Sequence, residues 1–286
     1  LEHHSNIVPW QMLCEKTGAT LKVIPMTEKG ELSLTDFTLL LSQKTKLVFV
    51  NHVSNTLGTI NPIKTIIDKA HEKGAAVLID GAQATSHLTP NFEKLNVDFY
   101  VTSAHKMCGP TGVGILYGKE KWLQELPPYQ GGGEMIKEVS FEKTTYADLP
   151  HKFEAGTPNI AGGIAFGAAI DYLNSIGLKK IATYENELLN YATKELTKID
   201  GVKIYGTSSN KTAVISFNIE NIHPYDVGTI IDKLGIEVRT GQHCTQPIMD
   251  FYKITGTIRA SFAFYNTKQE INVFIEAIKR AKMMLS

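Results

Sequence analysis

The sequence predicts an α/β protein in which a mostly parallel sheet is followed by a smaller α+β unit. In the first half, strand-sized apolar runs at 21–25, 47–51, 75–80, 99–103 and 113–117 alternate with segments of helical period, the pattern of strands joined by crossovers. From about Gly162 the texture changes to two helices and then short strands, the mark of a second unit. Between the second and third runs, Ile63, Ile66, Ile67 and Ala70 recur at helical spacing after Pro62, and Lys73-Gly74 supplies a cation and a glycine stop. A small-residue helix over 162–174 comes next, then a longer one striped by Ile181, Tyr184, Leu188, Ala192, Leu196 and Ile199. Strands are expected at 202–205, 213–219, 237–239 and 258–262, with helices near 225–234 and 268–284. There is no internal repeat, low-complexity tract or charged tail.

A chain of 286 residues with 43% hydrophobic side chains is long enough for two domains. Lysine plus arginine equals aspartate plus glutamate at 29 each, so no broad field favours nucleic acid or an anionic membrane surface. A small-molecule substrate is the expectation. No apolar run approaches the roughly 20 residues of a membrane span, so a soluble protein is expected. Cys14, Cys108 and Cys244 are too few and scattered for a disulfide framework and form no CxxC pair, which suits a reducing cytosol. Residues 1–10 begin with Leu1 and have neither the basic start nor the apolar core of a signal peptide, so the N-terminus reads as cut rather than targeted.

The chemistry concentrates where the first-half strands end, the ligand-binding edge of open α/β sheets. Asp80-Gly81-Ala82-Gln83 closes one buried run and Ser103-Ala104-His105-Lys106 the next. Taken singly, a lysine there is a solvated surface group and an aspartate a helix cap. Together they can bracket a small aromatic cofactor, the carboxylate holding a pyridine nitrogen protonated and the amine forming a Schiff base with an aldehyde. Asp80 follows five apolar residues, and an ionised carboxylate at that depth needs a partner. Pyridoxal phosphate uses both groups.

These two motifs resemble the fold-type I, class V aminotransferase family. Glu2-His3-His4-Ser5-Asn6, Asn51-His52-Val53-Ser54-Asn55-Thr56-Leu57-Gly58, Gly131-Gly132-Gly133-Glu134, Phe153-Glu154-Ala155-Gly156-Thr157-Pro158-Asn159 and Arg239-Thr240-Gly241-Gln242-His243-Cys244 are similar to its Suf-type, group II cysteine desulfurase branch, along the whole chain. The resemblance implies a pyridoxal-phosphate-dependent transferase (aspartate aminotransferase-like) fold with helices on both faces of the sheet. It implies a cofactor-binding large domain over 1–165, incomplete at its start, and a small C-terminal domain over 166–286 carrying the catalytic cysteine loop.

Lys106 is then the Schiff-base lysine, Asp80 the pyridine partner, Gln83 the neighbour of the ring hydroxyl and His3 the residue stacked on the ring. Ser103 and His105 contact the cofactor phosphate, and Thr157 reaches the phosphate of a neighbouring subunit, implying a homodimer. Asn55, Arg259 and Arg239 are substrate-binding residues, Arg259 gripping the substrate carboxylate as a planar fork. Cys244 is the nucleophile that takes sulfur from L-cysteine; it follows a polar, glycine-containing stretch with a cation nearby, where a thiolate is favoured. Cys14 and Cys108 are read as structural. The expected reaction gives L-alanine and a persulfide on Cys244, with sulfur passed to a small acceptor protein of the Suf system for iron–sulfur cluster assembly in the cytoplasm. Family members carry roughly a hundred further leading residues, with another phosphate-binding threonine loop, part of the large-domain sheet and part of the dimer contact, so the resemblance leaves open whether this chain by itself binds the cofactor, dimerises or turns over.

Rival readings remain at this point. Aminotransferases, selenocysteine lyase acting on L-selenocysteine, and kynureninase-like hydrolases share Asp80, Gln83 and Lys106; Cys244 argues for the desulfurase, since transamination needs no enzyme thiol. A dinucleotide-binding protein is disfavoured because Gly109, Gly112 and Gly114 precede a strand instead of following one. A remnant that only binds partners is the third. The nine histidines show no metal-ligand spacing.

Overall fold

The computed structural model describes residues 1–286, Leu1 to Ser286. In chain order the first half runs α1 (Val8–Thr17), α2 (Leu34–Leu40), β1 (Leu47–Asn51), α3 (Ile63–His71), β2 (Ala76–Asp80), α4 (Phe92–Leu95), β3 (Phe99–Ser103), β4 (Gly114–Gly118) and α5 (Glu120–Glu125). A hairpin, β5 (Ile136–Val139) with β6 (Thr144–Tyr146), leads to α6 (Ile160–Ile176). The second half follows as α7 (Leu178–Leu196), β7 (Val202–Tyr205), β8 (Val214–Ile219), α8 (Pro224–Lys233), β9 (Arg239–Gly241), α9 (Gln246–Tyr252), β10 (Thr257–Ser261) and α10 (Lys268–Leu285).

The first sheet has the order β1-β2-β3-β4, the first three strands parallel and β4 antiparallel to β3. Side chains alternate across a strand, so Val48 and Val50 of β1 and Val77 and Ile79 of β2 share one face with the Ile63, Ile66, Ile67 and Ala70 stripe of α3. Phe49 points the other way and stacks on Trp10 of α1, ring centroids 4.6 Å apart. Phe166 and Ala169 of α6 pack with Ala104 just beyond β3. Helices thus cover both faces, as expected, and all three parallel strands end at one edge.

The second sheet, β7-β8-β10-β9, is antiparallel throughout. Ile215, Phe217 and Ile219 of β8 and Ile258 and Ala260 of β10 form a core with α7, α8 and α10. The intervening Ser216 and Arg259, paired across the ladder, therefore face the opposite side. α10 opens with a full capping box from Thr267 and Glu270. The 165/166 position falls inside α6, and Phe166 and Ala169, just beyond it, pack with Ala104.

Two expected strands differ. Residues 21–25 form no strand, only a bridge from Met26 to Leu32 nearby, because no other strand of the chain lies alongside to accept a ladder. The 237–239 strand sits two residues later, since the Ile236 N–H is taken by Ile231 O at the end of α8. The β5–β6 hairpin was not anticipated. No helix is long and apolar enough to cross a membrane.

Under the first sheet, the carboxylate of Asp98, only 1% exposed, accepts from His71 Nε2 (2.6 Å), Val77 N (2.9 Å), Lys119 Nζ (2.9 Å) and Trp122 Nε1 (3.0 Å). Burial alone raises its pKa; the hydrogen bonds from His71, Lys119, Trp122 and Val77 outweigh it and hold the group below the ordinary 3.8. A depressed carboxylate pKa gives stability that is present above the unfolded value and lost as pH falls through the folded one. Asp98→Ala is therefore expected to cost about 3 kcal/mol in urea unfolding at pH 7, with the gap to the parent narrowing below about pH 4.

Candidate active site

A cleft of ≈ 340 Å³ opens at the C-terminal edge of the parallel strands, lined by His3, Asn6, Asn55, Asp80, Gln83 and Lys106 among others. Asp80 is the last residue of β2, and its Oδ1 accepts the Ala82 N–H at 2.9 Å. Its Oδ2 has no hydrogen-bond partner. Gly81 is required by its neighbour: a Cβ there would lie 1.9 Å from the Tyr100 ring. Tyr100 is itself fixed by a 2.9 Å hydrogen bond to the ring of buried His52. Burial lowers the His52 pKa to about 4, so the imidazole is neutral.

Lys106 ends a short turn after β3 and makes no hydrogen bond or ion pair in the structure. Burial, the largest cause, and the Arg259 charge lower its amine pKa, while Asp80 acts in the opposite direction. His3 caps the turn His4–Asn6, its Nδ1 accepting the Ser5 N–H at 3.1 Å. Burial and Lys106 push its pKa down, so it presents a neutral ring to the cleft. Ser103 Oγ and His105 Nδ1 are 2.9 Å apart at the exposed end of β3.

The second sheet contributes Arg259 and the Cys244 loop. Arg259 Nη1 donates to Asn55 O at 2.7 Å, while its Nε is buried with no partner. Arg239 stands directly across the ladder, and like charges in that position repel unless an anion joins them. Burial and Arg239 both lower the Arg259 pKa. Asn55 Nδ2 donates to His243 O at 2.8 Å, and Thr56 and Thr245 hydroxyls meet at 2.7 Å. Cys244 is exposed, in a turn where His243 and Cys244 both have positive φ, 53° and 56°.

His3, Asn55, Asp80, Gln83 and Lys106 thus share the cleft, and Arg259, His243 and Cys244 are joined to it through Asn55. Thr157 is not brought in: it is exposed and follows Gly156, whose N–H bonds to Gly133 O at 3.0 Å. Four residues given no role above belong to the arrangement. Glu2, its pKa raised by burial, accepts from Asn6 Nδ2 (2.6 Å) and Asn51 N (3.0 Å); Asn6 and Trp10 line the cleft; and His4 contacts the Cys244 loop. The signal for Glu2, His4 and Asn6 lay in the same Glu2-to-Asn6 motif that supplied His3.

A desolvated amine and a half-free carboxylate that influence each other without touching leave room between them for a flat, cationic ring. The Arg259 guanidinium, of which only Nη1 is engaged, has further N–H donors for a carboxylate. That donor set fits pyridoxal phosphate with an amino-acid substrate.

Residues 1–274 match the family Aminotransferase class-V. The chain belongs to the class-V aminotransferase family. Within it, the chain is 50% identical over 286 residues to the cysteine desulfurase of Enterobacter sp. (strain 638), covering all of this chain and 70% of that protein. It is 48% identical over 285 residues to a probable cysteine desulfurase of Xylella fastidiosa (strain Temecula1), covering 68% of that protein. Among solved structures, the apo cysteine desulfurase of Thermococcus onnurineus NA1 superposes with a TM-score of 0.94 at 39% identity, over 98% of this chain and 70% of that one. The Escherichia coli cysteine desulfurase CsdA, in its S-sulfonic acid form, gives a TM-score of 0.95 at 35% identity, over 100% and 71%.

The charges around Lys106 make a signed prediction. Labelling of the cofactor-free protein with an amine reagent across pH, read by peptide mass spectrometry, should give Lys106 a midpoint below the ordinary lysine value of 10.5. Asp80→Asn should move it further down and Arg259→Gln should move it up.

Proposed function

We propose that the chain acts as a pyridoxal-phosphate-dependent cysteine desulfurase of the Suf type, converting L-cysteine to L-alanine and leaving a persulfide on Cys244. The observation that carries this reading is the junction made by Asn55, which lines the cleft of Asp80 and Lys106 and holds the loop of an exposed cysteine through His243 O. A transaminase needs the cleft but has no use for the thiol. A cysteine desulfurase at 50% identity and a probable cysteine desulfurase at 48% support the same reading.

Lys106, Asp80, His3 and Gln83 would hold the cofactor ring, with Ser103 and His105 at its phosphate and Thr157 of a second copy completing that site in a homodimer. Pyridoxal phosphate, when bound, supplies an electron sink that stabilises negative charge at the substrate α-carbon. Asp80 Oδ2, free of protein donors, would accept a pyridinium N–H. The Arg259 guanidinium would take the substrate carboxylate, with Arg239 and Asn55 beside it, which relieves the opposition of the two guanidinium groups. Lys106 Nζ, drawn toward neutrality by burial, can accept the substrate α-proton and return a proton to carbon. Cys244 Sγ attacks the substrate sulfur as a thiolate; the S–S bond forms, the C–S bond breaks, and protonation of carbon completes alanine. Cysteine plus enzyme thiol equals alanine plus enzyme persulfide, with no outside oxidant.

L-Selenocysteine offers Cys244 the same geometry and is the alternative substrate. The proposed destination of the sulfur is a small acceptor protein of the Suf system, for iron–sulfur cluster assembly in the cytoplasm.

The test is to add pyridoxal phosphate to the purified protein, then L-cysteine, following the visible spectrum, alanine release and the mass of the Cys244 peptide. The proposal predicts a visible band that borohydride fixes onto Lys106, one alanine per sulfur on Cys244 in a single turnover, and a Cys244→Ser variant that keeps the band but loses alanine release by at least about a hundredfold. Alanine formed equally well by Cys244→Ser would overturn it.

A further inference from the structure

We propose that His4 is a positioning residue for Cys244, acting as a helix cap supplied from the opposite end of the chain. The kinetic part of this proposal rests on the desulfurase reading; the structural part does not.

The turn that presents the thiol is intrinsically unfavourable. His243 and Cys244 are consecutive non-glycine residues in the left-handed region, at φ 53° and 56°, and such residues persist only where the surroundings over-determine them. The side of the turn before the thiol is well held. His243 O accepts from Asn55 Nδ2, the His243 ring lies 2.9 Å from Thr257 Oγ1, and Thr245 N–H returns to Gln242 O at 2.9 Å.

After the thiol, Thr245 is tied to Gln242 and Thr56, and the two groups on either side of it, Cys244 O and the Gln246 N–H, are both held by His4. His4 N–H donates to Cys244 O at 2.8 Å, and His4 Nε2 accepts the Gln246 N–H at 3.2 Å. Gln246 is the first residue of α9, so its N–H is one of the donors that a helix start leaves without an internal partner. Thr245, at the cap position, makes no side-chain cap bond; its hydroxyl is spent on Thr56 and Gln242 O. The ring of His4, 242 positions away in sequence, takes over that function. To accept at Nε2 it must be the neutral tautomer with its proton on Nδ1.

His4 also sits in a particular place. His3, its neighbour, lines the cleft with Asp80 and Lys106, and the turn His4–Asn6 sends the two rings apart, centroids 6.3 Å from each other and planes at 47°. One peptide bond therefore connects the cofactor cleft to the thiol loop, so the loop's position is referred to the residue facing the ring.

The test compares His4→Ala with His4→Gln, whose side-chain oxygen can accept from Gln246 in place of the imidazole. In the cofactor-free protein, NMR-detected amide exchange at Gln246 should speed up about tenfold in His4→Ala and stay near the parent in His4→Gln. In the loaded enzyme, His4→Ala should form the Cys244 persulfide about tenfold more slowly with KM for L-cysteine and the visible spectrum unchanged, and His4→Gln should recover most of the rate. Parent-like exchange at Gln246 in His4→Ala would overturn the proposal, as would a fall in rate that His4→Gln does not repair. Exchange that responds as expected in a protein whose parent never forms a persulfide supports the cap and sinks the desulfurase reading instead.

Discussion

Everything in the site hangs on a polar segment that the fold buries between its two sheets. Residues 51–59 are all buried, and a chain cannot be taken out of water there without a partner for each backbone group. The partners come from both sides. Toward the first sheet, Asn51 N–H bonds Glu2 and His52 N–H bonds Asp80 O. Toward the second, Asn55 O accepts from Arg259, Thr56 O accepts from Ser216 Oγ at 2.6 Å, and Gly58 O accepts the Thr212 N–H at 2.9 Å. Gly58 is fixed as glycine, with φ 75° and a would-be Cβ 3.1 Å from Val214 and Thr212 atoms. The hydrogen bonds that keep this segment dry are the ones that bring Asp80, Arg259 and the Cys244 loop to one place.

The electrostatics follow from that burial. A desolvated amine at Lys106, a carboxylate with one oxygen spare at Asp80 and two guanidinium groups opposed across a ladder are each unfavourable in isolation. Collected around one cleft, they describe by their signs what is meant to enter it: a cation-accepting position at Asp80 and an anion-accepting one at Arg259. Buried groups with unsatisfied preferences are a common signature of functional sites.

Much of this was legible in the sequence, and the parts that were not share a cause. β1, β2 and β3 and the α3 stripe were readable because their burial is set by neighbours a few residues away in pattern. The α/β class and the residues of the Asp80 and Lys106 motifs followed. The 21–25 run is as apolar as a strand, yet strand formation needs an adjacent ladder that composition does not reveal. The β5–β6 hairpin went unread because Lys137, Glu138 and Val139 are exposed and show no alternation. In the site, the Glu2-to-Asn6 motif was visible, but the roles of Glu2 and His4 within it were not, because their work is done across the fold: Glu2 holds a backbone N–H 49 positions away, and His4 one that is 242 away. Arg259 was noticed as a charge in a strand, but its facing became readable only through its pairing with Ser216, which places it opposite the Ile258 core face.

The most direct test of the central claim, that the segment 51–59 unites the two sheets into a single site, is a crystal structure of the Cys244→Ser protein with pyridoxal phosphate and L-cysteine. The ring should lie between Asp80 and His3, the substrate carboxylate on the Arg259 guanidinium, and residue 244 should be directed at the substrate sulfur. A substrate bound in the cleft with its carboxylate away from Arg259 and its sulfur turned from residue 244 would contradict it.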